Sequence, residues 1–227
     1  MKILFGKPKL EYCPSTNGVP DGNWVEVDTP KEDSTSLETN EGTDLEAREE
    51  GGEVVDRIGQ ASSYALSFEL FKKKGEAFPM AENESRGVVS GEYAVRVTSD
   101  IDAEAPGYQI DRAAVKTARL YSPGDTYRKQ YTFAALKPNS GDTVKDIENT
   151  AVSVAASATS ATATLIESGM VAPTSGLPSW ITAASVSGTT LSLTLTANSG
   201  TSDREATIEV RGTSAIQLVT VKQPKSA

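Results

Sequence analysis

The feature that most constrains the fold is an alternation of apolar and hydroxyl-bearing residues in the last third of the chain. In TLSLTLTAN (190–198), Leu191, Leu193 and Leu195 alternate with serine and threonine, and EATIEVRG (205–212) repeats the pattern. Strict alternation predicts strands with one apolar face. Several short strands of this kind bury their apolar faces as two packed sheets, so we expect a β-sandwich here.

Three further segments of this third predict strands, since clusters of Gly, Pro, Ser and Asn separate them. They are ATATLIE (161–167), WITAAS (180–185) and AIQLVTVKQ (215–223).

A change in composition predicts where this sandwich begins. Residues 1–150 hold 27 Asp and Glu against 18 Lys and Arg, whereas residues 151–227 hold 4 against 4. A segment rich in polar and turn-forming residues precedes the change, as is typical of a boundary between domains. We therefore expect two domains, 1–149 and 150–227.

The chain contains no histidine and one cysteine, Cys13. The absence of histidine removes the commonest general base. It also excludes the Ser-His and Cys-His nucleophile pairs and most zinc and non-haem iron sites. No Walker, G-x-G-x-x-G or G-x-S-x-G motif occurs. We expect no enzyme, no cofactor, no catalytic residue and no metal site, and we interpret Cys13 as a small half-buried apolar residue.

Membrane and secretion signals are weak. The first residues, MKILFGKPKLEY, lack the long apolar run of a secretory signal, and no segment approaches the ~20 apolar residues that span a bilayer. We expect neither a leader there nor a membrane partner.

Four residues of the last third carry a resemblance to a known family. A Trp closes a Pro-containing turn, an Asn ends a Leu-rich strand, an Arg opens the next strand and a Gln lies near the end, at Trp180, Asn198, Arg204 and Gln223. Over about residues 150–225 this order resembles BACON-type domains, small immunoglobulin-like modules of bacterial surface and phage proteins. The family name implies carbohydrate binding.

The aromatic content of this third argues against that function. Sugar sites use flat aromatic rings as platforms, and Trp180 is its only aromatic residue. A single Trp in a sandwich favours a place in the core, so sugar recognition would have to depend on Ser, Thr and Asn alone.

The first two-thirds also predict mostly strands, because β-branched and aromatic residues alternate with turn signals. AAVKTARL fits a strand or two turns of helix, FPMAENESRG (78–87) is the best candidate for one short helix, and YSPGDTYRK predicts a hairpin turn. The other segments are KILFG, NWVEVDTP (23–30), GEVVDRIG (52–59), SYALSFELF (63–71), GEYAVRVTSD (91–100) and DTYRKQYTFAAL (125–136).

Residues 28–56 carry eleven acidic side chains against Lys31 and Arg48. Such a run is usually a solvated loop or flap. Because it is poor in apolar residues, it cannot build its own core. We expect a long extension that becomes ordered when something packs against it.

The order of features in residues 1–147 resembles that of phage tail tube proteins. The phrases GNWVEV and TFAALKP, the long polar flap and the strand SYALSFELF carry the resemblance. It implies a tail-tube type β-sandwich or barrel whose copies self-assemble into stacked hexameric rings, and it implies other tail proteins as further partners. It also implies a flap that contacts neighbouring subunits and an outward immunoglobulin-like domain. It also implies an acidic lumen, which would repel phosphates, so that DNA is a passenger and not a ligand.

Three weaker signals favour ordinary explanations. Asp100, Asp102 and Glu104 alternate as calcium ligands can, but no EF-hand glycine or distal Glu follows, so we interpret them as a turn. Lys72–Lys74 is interpreted as a solvated strand end, and Asn83-Glu84-Ser85 as a sequon without meaning unless the chain is secreted.

The sequence thus predicts a mostly β protein of two domains, and the resemblance to tail tube proteins implies a structural protein of a phage virion. The alternative is a bacterial cell-surface or secreted adhesion module whose sandwich binds a glycan.

Overall fold

A computed structural model describes residues 7–99, 107–121 and 126–226, and it divides the chain into two compact units. The N-terminal unit comprises residues 10–95 and 110–138, and the C-terminal unit comprises the rest, mainly residues 139–227. Both are built from β-strands, which confirms the predicted fold class.

The chain forms seventeen strands in the described residues. They are β1 Pro8–Thr16, β2 Val19–Pro20, β3 Val25–Glu26, β4 Ser36–Asn40, β5 Leu45–Arg48, β6 Val54–Ile58, β7 Ser63–Phe71, β8 Glu84–Ser85, β9 Val88–Ser99, β10 Gly107–Leu120, β11 Arg128–Ala135, β12 Lys145–Ser153, β13 Ser160–Thr164, β14 Ile181–Ser187, β15 Thr190–Leu195, β16 Arg204–Arg211 and β17 Ala215–Gln223.

In the N-terminal unit, β4, β7, β11 and β10 lie side by side in that order, β10 pairs with β9, and β9 pairs with β1. Alternation along β7 buries Leu66, Phe68 and Leu70, and alternation along β11 buries Tyr131 and Phe133. The Phe68 ring stacks on both aromatic rings of β11, at centroid distances of 5.4 and 5.9 Å. These strands therefore carry the core of the unit.

The C-terminal unit is a sandwich, as predicted. Strand β15 lies between β13 and β14, and β17 lies between β16 and β12. Buried side chains from both groups of strands form one apolar cluster, with Leu191, Leu193 and Leu195 from β15 packing in the same core as Ile208 and Val210 from β16.

Several expectations for the N-terminal part change in detail. AAVKTARL is a strand, since β10 pairs with β11 from Ala113↔Ala135 to Leu120↔Arg128. The expected helix is one 3₁₀ turn at Ala81–Asn83, and NWVEVDTP forms a strand over Val25–Glu26 alone. KILFG, the hairpin turn at 122–125 and the acidic residues of DIDAE lie outside the described residues.

The expected domain boundary between residues 149 and 150 falls inside β12. This strand pairs in parallel with β17 along eight positions, from Asp146↔Ala215 to Ser153↔Lys222. The change in charge marks the end of the acidic part of the sequence. Strand β12 continues past this point because its hydrogen bonds to β17 extend from residue 146 to residue 153.

Candidate functional site

The Gln223 side chain binds several backbone groups at one end of the sandwich. It is 1% exposed, and its Nε2 lies 3.2, 2.9 and 3.0 Å from the carbonyl oxygens of Ala155, Ala156 and Ala158. Its Oε1 accepts hydrogen bonds from Nε and Nη2 of Arg204 at 3.0 and 2.7 Å. Gln223 therefore fixes the chain before β13 to the end of β17.

Arg204 covers the Trp180 ring. Its guanidinium carbon lies 4.6 Å from the ring centroid, and its Nη2 also donates to the carbonyl oxygen of Thr196. Trp180 is half-buried and packs against the sandwich core, as expected. With a cation over the ring, Trp180 is not an open platform for a sugar.

Asn198 holds the loop between β15 and β16. It is 5% exposed, its Nδ2 donates to the carbonyl oxygens of Ser202 and Pro224 at 3.0 and 2.9 Å, and its Oδ1 accepts from the Gly200 N–H at 3.1 Å. The four residues that mark the family resemblance are thus occupied by internal contacts, which stabilise the fold.

One face of the sandwich carries a regular array of hydroxyl groups, which we call the hydroxyl face. The register of β13, β15 and β14 aligns nine exposed residues in three rows of three, and eight of them are Ser or Thr. The rows are Ser160, Thr194, Ala183; Thr162, Ser192, Ser185; and Thr164, Thr190, Ser187. Such a face offers hydrogen-bond donors and acceptors without charge or aromatic rings.

The flap forms a hairpin in the N-terminal unit. Its edge strand β4 pairs with β7, and β5 then pairs with β6 in a two-stranded sheet of its own. None of residues 31–60 is buried, which confirms that this segment builds no core. We call residues 44–58 the acidic hairpin.

The two faces of the acidic hairpin differ in chemistry. On one face, the Glu46 carboxylate accepts from both Arg48 and Arg57, which lie on opposite strands. On the other face, Leu45 lies opposite Ile58, and the two side chains are 56% and 63% exposed. The ion pairs stabilise the hairpin modestly, and the apolar pair has no cover.

Residues 28–56 account for the entire net charge of the chain. They carry eleven acidic and two basic residues, a net of −9, and the remaining 20 acidic and 20 basic residues cancel. Within the described residues no group of three or more His, Cys, Asp or Glu is placed to hold a metal ion.

Cationic and aromatic side chains meet at one end of the N-terminal unit, where β7, β11 and β10 end or begin. In the strand register, Phe71 of β7 lies opposite Arg128 of β11, and Arg128 lies opposite Leu120 of β10. The backbone N–H of Lys72 donates to the carbonyl oxygen of Tyr127. We call this group the basic end, formed by Phe71, Lys72, Lys74, Phe78, Arg119, Tyr121 and Tyr127. The sequence suggested only a solvated strand end here, because the register and not the chain order assembles the group.

Structural contacts shift the pKa values of two groups of the N-terminal unit, the half-buried Glu84 and the buried Cys13. Glu84 accepts a hydrogen bond from Lys129, which is 4% exposed, and this contact lowers the pKa of the Glu84 carboxyl. Burial raises the pKa of the Cys13 thiol to about 12, and Cys13 is 0% exposed. Cys13 is therefore more deeply buried than the half-buried apolar residue that the sequence predicted, and its thiol is unreactive.

Comparisons with known proteins match the C-terminal unit to a family. Residues 172–224 match the BACON family model, described as "Putative binding domain, N-terminal". This confirms the resemblance for those residues. The contacts of Gln223 with Ala155–Ala158 extend the same folded module to residues before the matched range.

The comparisons add little for the rest of the chain. No curated protein matches it. Among solved structures, it is similar to a chain of an extracellular contractile injection system, PVC sheath/tube terminator in extended state, with 10% identity, a TM-score of 0.40, and coverage of 64% of this chain and 96% of that chain. This likeness is too slight to support a function. No helix of the described residues is long and apolar enough to cross a membrane.

Proposed function

We propose that this chain is a non-catalytic structural subunit of a phage tail or a related tube-like machine, in which copies assemble into rings and the BACON-like sandwich decorates the outside. The observation that carries the proposal is the acidic hairpin. The hairpin exposes acidic and apolar side chains, as contact elements do, and it builds no core of its own.

The physics of a lone hairpin supports self-assembly. A two-stranded hairpin is marginally stable in water unless its apolar side chains are covered. Here Leu45, Val54, Val55 and Ile58 are each at least 42% exposed. A neighbouring subunit that covers them would order the hairpin and remove apolar surface from water.

The charge distribution supports a passive role toward DNA. The residues outside 28–56 are neutral in sum, so the acidic wall of a lumen would come from the flap. A net charge of −9 repels phosphates, and DNA would pass without being held. Partners are then other copies and other tail proteins, and the site of action is the virion.

Electron microscopy with light scattering tests this proposal. The concentrated full chain is expected to form rings or tubes whose mass is a multiple of 24.0 kDa. A strict monomer at every protein and salt concentration would contradict it. A gel-shift assay with double-stranded DNA is expected to show no complex.

A second candidate function, glycan binding by an adhesion module, is favoured by the hydroxyl face. A glycan array probed with the chain would test it, alongside a variant with Thr162→Val and Ser192→Ala in the middle row. Thr207→Val is the matched control, since Thr207 is an exposed threonine on β16 of the other sheet. Binding that the middle-row variant loses and the control keeps would rank this function first.

A further inference from the structure

The acidic hairpin and the basic end lie at opposite ends of the same strand. The flap leaves the sheet where Asn40 pairs with Ser63, the first residue of β7, and the basic end begins at Phe71, its last residue. Nine residues of β-strand span about 27 Å. The N-terminal unit is therefore polarised along β7, with anionic and cationic contact groups at its two ends.

The hairpin carries carboxylates that its own cations do not neutralise. It has six acidic residues and two basic ones, a net of −4. Glu46 and Asp44 pair with its arginines, whereas Glu49, Glu50, Glu53 and Asp56 have no cationic partner in the described part of the chain. This negative charge is available to a partner.

The basic end has cations beyond those that its own acids neutralise. Lys73 pairs with Asp28 at 2.7 Å, Arg128 pairs with Glu69 at 3.4 Å, and Lys129 pairs with Glu84. Lys72, Lys74 and Arg119 form no salt bridge in the described part of the chain, although Lys72 donates to the Glu76 carbonyl oxygen and Arg119 acts on the Glu84 carboxylate at longer range. Lys72 also lies 5.0 Å from the Phe78 ring centroid. With Lys73, Arg128 and Lys129 this end holds six cations against Asp28, Glu69, Glu76 and Glu84, a net charge of +2.

Both ends also expose apolar surface of matching character. The hairpin presents the pair Leu45 and Ile58, and the basic end presents Phe71, Tyr121 and Tyr127, which are 44%, 73% and 37% exposed. Aliphatic side chains pack well on aromatic rings, and interfaces are enriched in tyrosine and phenylalanine. The two ends therefore both expose apolar side chains, and their charges are opposite.

We propose a head-to-tail contact, in which the acidic hairpin of one copy docks on the basic end of the next copy. This deepens the proposed function and rests on it, since it names the surfaces through which copies assemble. Each copy carries one hairpin and one basic end, so the contact is heterologous. Such contacts propagate into closed rings or open filaments and do not stop at a two-fold dimer.

Single-stranded nucleic acid is the rival occupant of the basic end, because cations interleaved with aromatic rings can bind it. The charge of the chain favours the second copy. With a net charge of −9 the protein repels a polyanion, whereas the hairpin brings apolar groups along with its carboxylates.

Complementation of two variants tests the contact. Leu45→Ser with Ile58→Ser disables the hairpin and leaves the basic end intact, and Lys72→Glu with Lys74→Glu does the reverse. All four positions lie outside the core, so circular dichroism should match that of the unchanged chain. Glu50→Lys with Glu53→Lys is a second hairpin variant, which keeps the apolar pair. Lys222→Glu with Lys225→Glu is the control for two reversed lysine charges, placed on the sandwich.

Light scattering measures the outcome. Each disabled variant alone is expected to need roughly tenfold more protein to assemble. An equimolar mixture of the first two should form dimers near 48 kDa, twice 24.0 kDa, because one functional hairpin then meets one functional basic end. The Glu50→Lys, Glu53→Lys variant should assemble again when mixed with the Lys72→Glu, Lys74→Glu variant. The sandwich control should assemble like the unchanged chain.

Three results would overturn the contact. If the basic-end variant self-associates like the unchanged chain, the hairpins pair with each other or with another surface. If both variants assemble normally, self-assembly stands and these surfaces are not its contact. If the basic-end variant loses only affinity for a single-stranded oligonucleotide, the rival occupant is correct.

Discussion

The acidic hairpin and the sheet β13–β15–β14 of the C-terminal sandwich are both built from antiparallel strands, but they differ in what covers their side chains. In the sandwich, Leu191, Leu193 and Leu195 are at most 4% exposed, whereas Leu45 of the hairpin is 56% exposed. The same residue type on the same kind of strand thus contributes to a core in one region and to an open surface in the other. Pairing makes a strand, and burial makes it stable.

Charge is divided in the same way. The sandwich region 151–227 is neutral, with hydroxyl groups on its open face, while residues 28–56 hold the whole net charge of the chain. A neutral, self-contained module suits an outer position that needs no neighbour. A charged segment without a core suits a contact between subunits.

The largest expected difference between the two regions is in leucine truncation. Leu193→Ala should lower the free energy of unfolding by about 2–5 kcal/mol, because it removes a buried side chain and leaves a cavity. Leu45→Ala should change it by no more than about 0.5 kcal/mol, as is usual for an exposed side chain. Urea denaturation of the chain at low protein concentration measures both. Equal losses would mean that the hairpin is buried in the monomer.

A matched pair of glutamines gives the next largest difference. Gln223→Ala should cost about 1–3 kcal/mol, since it removes the hydrogen bonds that the buried amide of Gln223 makes to three backbone carbonyl oxygens of residues 155–158 and to the Arg204 guanidinium. Gln60→Ala, in the exposed segment that follows the acidic hairpin, should leave the denaturation midpoint unchanged. If Gln223→Ala also leaves the denaturation midpoint unchanged, the hypothesis that the residues of the family resemblance stabilise the fold is wrong.

Much of the sandwich could be predicted from the sequence, because local pattern and burial agree there. Strand β17 has the predicted bounds, Ala215–Gln223, and β15 begins at the predicted Thr190. The leucines of β15 face the sandwich core, and so do Val219 and Val221 of β17, so the alternation is informative there.

The N-terminal unit was less predictable, because its decisive contacts join distant residues. Strand β1 was missed, since Pro8 and Pro14 interrupt its sequence, although it buries Leu10 and Cys13. The apolar pair of the hairpin joins Leu45 to Ile58 across the turn, which no alternation signals. The basic end likewise depends on the register of three strands.

The pH dependence of stability should report the contact of one carboxylate, Glu84 of the N-terminal unit. The pKa of Glu84 is lowered by its hydrogen bond with Lys129, so the folded state binds its proton less readily than the unfolded state. The resulting stability is present above the ordinary carboxyl pKa near 4.5 and is lost as the pH falls through the lower folded pKa.

Glu84→Gln should therefore flatten the stability profile below about pH 4.5. Thermal denaturation of the variant and of the unchanged chain across that range measures the effect. Identical profiles for Glu84→Gln and the unchanged chain would show that the contact with Lys129 contributes no stability.

The smallest expected effect concerns two turn glycines with positive φ. Gly188, between β14 and β15, has φ +61°, and Gly52, in the hairpin turn, has φ +92°; an added Cβ would meet no atom within 4 Å at either position. Alanine is strained at both by backbone conformation alone, at a cost of about 1 kcal/mol.

Gly188→Ala should lower the global stability by that amount, because the sandwich unfolds as a unit. Gly52→Ala should leave global unfolding unchanged and speed hydrogen exchange only at the amides of β5 and β6, since the hairpin opens locally. A global loss from Gly52→Ala would couple the hairpin to the core and remove the distinction between the two regions.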